Sequence, residues 1–560
     1  MGFCKGYTAR PSLTPGCRNR KLKCDEGRPD CLRCVKAKLV CGRYILPKHH
    51  DVLHPRELQP RTVQPQQQPQ QAKFTIYRSI ARSNRLHEES EVENRYFRHF
   101  QSTAAMSMDG VWGWALWNYL VLQNSHHESF VWHSIVAIGA LSKSLETAYA
   151  AGMHPHGATV PHLAKLHWQF AMVKYGTAVK LMQEVLSEEM TNPRQALVGC
   201  LMVVCFEMLV GNRPLAIKHA QSGIAILRQW QTQMRSQKGK PEPPSLLILS
   251  PSPLKIEDEI VEAFQNLDIQ IIGLKDGLST ACHEETTDDH DITIASLPTS
   301  FSNVRDAQIY LTHIVRRSYH FLATVLPSLS STSATVQHDG ELADELFISR
   351  TMNNSGYFPI TDKMRTQQAQ LATETAAWMH AFAPVIKRLH AEREDQDVPT
   401  PCAYNAALMM QMQAITTTIL IAGVVMTNEL EYEKFRPKFD ELVALTTTVI
   451  DLRQQRKKDR AWAGGFLVDI GITPQLLVVV TRCRDTAIRR KAIALLEGWY
   501  VEGGWDPRLV AQLGLFMIEA EEEGVEDIMK SNEEQDENRI MGRDKARAVF
   551  LRVHRDSKTG

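Results

Sequence analysis

HHESFVWHSIVAIGALSKSLETAYA, residues 126–150, places Phe130, Ile135, Ile138, Leu141 and Leu145 at spacings of three to five. That is the period of one helix face, not of a strand. LHWQFAMVKYGTAVKLMQEVL (166–186) repeats the pattern, with Leu166, Phe170, Val173, Leu181 and Val185 on one stripe and Thr177 as its one polar member. ALVGCLMVVCFEML (196–209) is apolar nearly all round, which marks a helix at the centre of a core. Further helical patterns fall near 214–235, 254–274, 304–325, 361–392, 402–430, 434–456, 484–500 and 507–523. Strand-like alternation with hairpin turn signals is scarce. The chain reads as mostly α.

Two stretches interrupt the helical pattern. SQKGKPEPPS (236–245) is rich in Pro and Lys, and 275–303 contains HEETTDDHD with little apolar content; both read as exposed loops. A third stretch raises the question of a membrane. AALMMQMQAITTTILIAGVVM (406–426) is uncharged and long enough to span a bilayer. Gln411, Gln413, three consecutive threonines and the lack of a flanking Lys/Arg cluster favour a buried helix instead, with no membrane partner.

Toward the N-terminus the composition changes. Residues 44–88 carry Pro47, Pro55, Pro60, Pro65, Pro69 and the run QPQQQPQQ, a composition expected to form an extended, mobile linker with no core. The linker also lacks an apolar heptad, so no coiled-coil element follows the residues before it. Those residues, 1–43, hold six of the chain's 11 cysteines. Residues 1–50 carry 12 Lys/Arg against three Asp/Glu, whereas the rest of the chain has 52 basic and 60 acidic residues. The net charge of +1 thus conceals a basic head on a mildly acidic body, the balance of a polyanion-binding module joined to a separate domain. At 560 residues, two or more domains are expected. MGFCKGYTARPSL has no apolar signal region, and the expected compartment is reducing and intracellular. Clustered cysteines in such a compartment favour metal thiolates over disulfides.

The cysteines run Cys17-x6-Cys24-x6-Cys31-x2-Cys34-x6-Cys41 in CRNRKLKCDEGRPDCLRCVKAKLVC (17–41). Thiolates bind Zn²⁺ tetrahedrally, and a segment this short has no hydrophobic core, so metal would supply its folding energy. Arg18, Arg20, Lys21 and Lys23 lie between two of the cysteines, so a bound metal would fix where those cations point. In cysteine spacing, basic run, Asp25 and Pro29, the segment resembles the six-cysteine binuclear zinc cluster of fungal transcription factors. The resemblance implies two zinc ions sharing six thiolates, two of them bridging, with Asp25 and Pro29 in the loop that joins the halves. It implies that Arg20 and Lys21 reach base edges in the major groove of double-stranded DNA, where GC-rich triplets are read. Arg18 and Lys23, with Lys36 and Lys38 from the second half, would contact phosphates and set register.

The pattern departs from the family at one position. A first cysteine is required three residues before Cys17, where this chain has Thr14. Hydroxyl oxygen is a poor substitute for a bridging thiolate. In the family the first and fourth cysteines bridge, which leaves Cys31 as the remaining bridge. Cys4 is the uncertain sixth ligand, separated from Cys17 by 12 residues. It could loop back, or residues 5–16 could be a gene-model artefact, since removing ten of them restores Cys-x2-Cys.

The body, 89–530, resembles the large all-α regulatory domain that accompanies fungal zinc clusters, and 531–560 reads as a charged tail. The resemblance rests on YFRHFQ (96–101), LWNYLVLQNSHHESFVWHSIVAIGAL (116–141) and ALVGCLMVVCFEMLVGNRPLAIKHAQSGIAIL (196–227). Other constellations are weaker. His126, His127, His133, His154, His156, His162 and His167 lack single-face ligand spacing and read as surface or hydrogen-bonded core histidines. Cys200, Cys205 and MMQM (409–412) read as core. EAEEEGVEDIMKSNEEQDE (519–537) is either an acidic activation segment or a solvated helix face. No nucleotide-binding or hydrolytic motif is present, and the expectation is not an enzyme.

Two functions follow. The first is a nuclear, zinc-dependent regulator of RNA polymerase II transcription, with DNA and the transcription machinery or co-regulators as partners and a homodimer left open. The second is a helical interaction protein whose incomplete cluster no longer binds DNA.

Overall fold

Helix caps and apolar faces set the architecture of the computed structural model. It describes Lys36 and residues 90–105, 115–151, 160–187, 192–237, 250–274, 278–287, 297–325, 344–345, 360–394, 401–426, 429–459, 471–497, 502, 504–530 and 552–553. The chain divides into two compact units, Met1–Ile76 and Tyr77–Gly560. The first contributes only Lys36, helical and exposed. The linker lies outside the described residues, as does the loop expected at 236–245 apart from Ser236 and Gln237, which are helical.

The described residues of the second unit are mostly helical. In chain order they form α1 (Glu91–His99), α2 (Val121–Ser125), α3 (Ser129–Ala150), α4 (His162–Leu186), α5 (Pro193–Val210), α6 (Arg213–Gln237), α7 (Asp258–Leu274) and α8 (Thr280–Thr287). There follow α9 (Val304–Val325), α10 (Asp362–Glu394), α11 (Pro401–Gly423), α12 (Arg436–Asp459), α13 (Thr473–Arg482), α14 (Thr486–Glu497) and α15 (Pro507–Lys530). Wider π turns, Phe100–Ala104 and Leu116–Leu120, continue α1 and precede α2. A two-residue antiparallel pair joins Asp344–Glu345 to Arg552–Val553.

Local chemistry sets the helix ends. Ser90 caps α1 by accepting from the Glu93 amide, with Glu91 and Glu93 in the first turn and Arg98 and His99 in the last, as the helix dipole favours. Asn192 caps α5, Pro193 occupies its first turn, and Gly211 ends it at φ 85°, a left-handed conformation that suits glycine. Every residue from Ala196 to Leu209 in α5 is buried, as its all-round apolarity requires. Its one carboxylate, Glu207, accepts from the Tyr175 hydroxyl at 2.5 Å and from Asn212 Nδ2 at 2.8 Å.

One hydrophobic core runs from Tyr96 to Ile518. Met409, Met410 and Met412 lie inside it, as do Cys200 and Cys205. The helices Pro193–Val210 and Ala403–Gly423 are long and apolar enough to cross a membrane, yet each is 72% buried within the fold, as core helices are.

Two expectations are corrected and one helix is added. Within 275–303, expected to be an exposed loop, Thr280–Thr287 is a helix with His283, Thr286 and Thr287 buried. Its interior contacts are polar, so no apolar period announces it. The sequence pattern predicts no helix over Thr473–Arg482, where α13 forms. Its run LLVVV is buried throughout, and a short all-apolar run has no period to separate helix from strand. The stripe read over residues 166–186 turns inward only in part, with Phe170, Leu181 and Val185 partly buried against the core. Leu166 and Val173 are exposed, and the buried line is Ala164, Ala171 and Ala178, which lets α4 lie close along α3. Ser144 of α3 donates to the Ala164 carbonyl at 2.7 Å across that contact.

Candidate metal centre and nucleic-acid interface

The donor set at the head is chemically suited to zinc. Five cysteines stand in binuclear-cluster register, flanked by cations that a phosphate backbone would attract. Cys4, Cys17, Cys24, Cys31, Cys34 and Cys41 lie outside the described residues, as do Arg18, Arg20, Lys21, Lys23, Asp25, Pro29 and Lys38. Lys36 is the exception, on a helical, exposed position where a cation can meet solvent or phosphate.

The three buried cysteines of the body have the opposite character. Burial pushes the thiols of Cys200 and Cys483 up to about 11, and that of Cys205 well above its ordinary value. Such thiols stay protonated, whereas a zinc ligand must be a thiolate. Among the described residues no group of three or more His, Cys, Asp or Glu side chains could hold a metal. His167 instead shares a hydrogen bond with Tyr96 at 2.7 Å, and burial lowers its pKa and that of His133.

The body does contain a polar constellation that sequence reasoning missed. Asp268 of α7 is buried, and its Oδ2 accepts from Arg316 Nε at 2.7 Å and meets His320 Nε2 at 3.0 Å, both from α9. Arg228 of α6 lies 3.5 Å from the same oxygen. On the other side of His320, its Nδ1 stands 2.9 Å from Nδ1 of His283 on α8. One ring must donate and the other accept, so the two imidazoles cannot both be protonated. Beside them Arg317 donates to the Thr287 carbonyl at 3.2 Å and to Glu374 of α10 at 2.6 Å. These contacts tie five helices together. The available signal was Arg317 and His320 falling on the apolar stripe of VRDAQIYLTHIVRRSYHFLATV.

Electrostatics gives the cluster a pH dependence. Burial would raise the Asp268 carboxyl, but the His320 hydrogen bond and the Arg316 and Arg228 charges outweigh it and hold Asp268 below the usual carboxylate range. Burial pushes His320 down to about 4, despite the attraction of Asp268. In the unfolded chain the imidazole returns to its ordinary value near 6.5, so between about pH 6.5 and 4 the unfolded state binds more protons. The stability that rests on neutral His320 is therefore present above about pH 6.5 and lost as pH falls, by up to roughly 3 kcal/mol. Urea unfolding across that window should show the decline, and His320→Asn should flatten it. Equal stability at both ends would show that His320 titrates normally.

Comparison with known proteins bears on the head first. The fungal Zn(2)-Cys(6) binuclear cluster domain matches residues 16–49. That span includes the five in-register cysteines but neither Thr14 nor Cys4. The chain thus carries a domain of the kind that binds two zinc ions. The aspercryptin biosynthesis cluster-specific transcription regulator atnN of Emericella nidulans is 24% identical over 239 residues, covering 40% of this chain. The matched region spans 35% of that relative's length. No solved structure matches the chain.

Proposed function

We propose that this chain, bearing a fungal Zn(2)-Cys(6) binuclear cluster domain at residues 16–49, is a nuclear, DNA-binding regulator of RNA polymerase II transcription. The observation that carries the reading is the coincidence of that match with the basic run Arg18, Arg20, Lys21 and Lys23 between two ligand positions. Similarity to a named transcription regulator supports the same class. Zinc, held by Cys17, Cys24, Cys31, Cys34 and Cys41 with Cys4 as the candidate sixth ligand, supplies folding energy to a head too small for a core. The chain's own residues do the reading. Arg20 and Lys21 donate to guanine O6 and N7 in GC-rich triplets, while Arg18, Lys23, Lys36 and Lys38 neutralise phosphates. Asp25 and Pro29 shape the loop between the halves. The helical body acts as a regulatory domain that meets the transcription machinery or co-regulators, and the active form is a homodimer.

Zinc content and DNA binding of the full chain test the proposal. Two zincs and salt-sensitive, sequence-selective binding are expected. Lys21→Ala should cost about 1–3 kcal/mol at one base position and relax preference there. Lys23→Ala should weaken all sequences alike and flatten the salt slope by about one unit. Equal effects of the two substitutions would refute this division of labour.

A second reading is favoured by Thr14, which stands where the first ligand belongs. If Cys4 does not complete the cluster, the protein works as a helical interaction protein without DNA affinity. A chain with no zinc and no DNA binding, restored by excising ten residues between Cys4 and Cys17, identifies this case. Uninterrupted messages encoding Lys5 to Gly16 would exclude an artefact as the origin of the gap.

A further inference from the structure

The segment that leads into α7, SPSPLKIED (250–258), carries two serines that each precede a proline. The chain has five Ser-Pro or Thr-Pro pairs, beginning at Thr14, Ser250, Ser252, Thr400 and Thr473. Only Ser252 is followed by a basic residue at the third position, Lys255. Proline has no amide hydrogen, so an enzyme pocket that would leave an amide unpaired there favours it. The lysine two residues further on offers a cation to an acidic or phosphorylated surface. Ser-Pro-x-Lys is thus the chemistry a proline-directed protein kinase recognises in its substrate.

The fold sorts these hydroxyls. Ser250 is 2% exposed; its amide donates to Asp258 Oδ1 at 2.7 Å, and its hydroxyl oxygen accepts from the Ser252 amide at 3.2 Å. Thr473 is wholly buried at the start of α13, and Thr14 and Thr400 lie outside the described residues. Ser252 is half-exposed, and among the described residues its hydroxyl makes no hydrogen bond. Its carbonyl closes a turn by accepting from the amides of Lys255 at 2.9 Å and Ile256 at 3.1 Å. Pro253, Leu254 and Lys255 in that turn are all exposed, Leu254 more than any other large hydrophobic side chain among the described residues. Drawing the turn out to fit a kinase cleft therefore breaks two hydrogen bonds and unpacks no core side chain, while buried Ile256 keeps the segment anchored.

We propose that Ser252 is a phosphorylation site for a proline-directed serine/threonine kinase. The γ-phosphoryl group of ATP passes to Ser252 Oγ. An Oγ–phosphorus bond forms, the bond from that phosphorus to the β–γ bridging oxygen breaks, ADP leaves, and the hydroxyl proton goes to the kinase's own base. The product adds about −1.5 to −2 charge at pH 7. That charge enters a junction already rich in carboxylates. Glu257, just before α7, is held by Arg194 of α5 at 2.6 Å, and Arg194 also reaches Asn124 Oδ1 of α2 at 2.8 Å. Asp258 holds the Ser250 amide. A phosphate on Ser252 repels Glu257 and Asp258 and so loosens the tie between α7, α5 and α2.

The modification needs neither zinc nor DNA, so its test stands apart from the DNA-binding reading. Incubation of the full chain with a proline-directed kinase and ATP, followed by mass spectrometry of its peptides, should place a phosphate on Ser252 and none on Ser250. Ser252→Ala should remove that label while circular dichroism stays unchanged, because the hydroxyl holds no partner. Lys255→Ala keeps the Ser-Pro pair and should slow labelling about tenfold. The phosphorylated chain should unfold at a lower urea concentration than the unmodified one. An unlabelled chain overturns the proposal, as does label confined to Ser250, Thr14 or Thr400, or a rate indifferent to Lys255→Ala. A urea midpoint that phosphate leaves unchanged overturns the loosening of the α7 junction.

Discussion

Cys31→Ser is expected to strip zinc from the head and reduce sequence-specific DNA affinity by about a hundredfold or more. The magnitude follows from what the metal does. Structural zinc in short modules supplies about 10–16 kcal/mol of apparent binding energy, which is also their folding energy. On the proposed ligand set, with Thr14 at the first ligand position, Cys31 would be the bridging thiolate left in register. A serine hydroxyl would not replace it, so both zinc sites would lose a ligand. The basic residues remain, and with them a weak, sequence-independent attraction to phosphate of roughly 10⁻⁴–10⁻⁶ M. Metal analysis and fluorescence anisotropy over a salt series separate the two effects. Retention of two zincs by Cys31→Ser would show that the bridge is elsewhere. Cys4→Ser is the companion variant: it lowers zinc content if Cys4 is the sixth ligand and leaves it unchanged otherwise.

The helical body was legible where apolar residues recur with a period and a cap marks the start. Helix α9 runs Val304–Val325, the span expected from the pattern, because Asn303 accepts from the Asp306 amide at 2.8 Å and an apolar stripe follows. Legibility failed where the determinant is tertiary. Helix α13 begins where the buried Glu502 carboxylate accepts from the Thr473 amide at 2.7 Å, a partner 29 residues away. Nothing in TPQLLVVVTR announces it. Helix α8 is held by His283 and Thr287 reaching polar groups of α9, contacts that no hydrophobic period encodes.

Helix α4 teaches a different lesson. Its period is helical, but period alone does not say how deeply each member is buried. Phe170, Leu181 and Val185 of the large-residue stripe reach the core only in part, while Ala164, Ala171 and Ala178 form the fully buried line, which allows the close approach to α3. The metal head was legible for the opposite reason. Cysteine spacing is a chemical constraint local to the sequence, so the matched span of residues 16–49 and the reading of five ligands rest on the same letters. The Asp268–His320–His283 cluster was not legible, since its members lie on three helices brought together only by folding.

Gly139→Ala should destabilise the body by about 3 kcal/mol, although the same change in an exposed helix stabilises by about 0.5–1 kcal/mol. Gly139 sits inside α3, where a glycine costs helix stability and offers no obvious return. The return is proximity. A Cβ there would overlap the carbonyl oxygen of Tyr96 and come 3.3 Å from Phe100 Cβ. Backbone cannot swing aside as a side-chain tip can, so α1 would have to back away from α3. That movement would also strain the contacts α1 makes with α4, where Tyr96 meets His167 and Glu93 meets Lys174. Gly176 provides the control, because in the middle of α4 a Cβ would meet nothing within 4 Å. Gly176→Ala should therefore gain the ordinary helix-propensity increment of about 0.5–1 kcal/mol. Urea unfolding of both variants gives opposite signs if close packing governs the first site and propensity the second. The same sign for both would mean that α1 can shift without cost, and that its junction with α3 is not the tight seam described above.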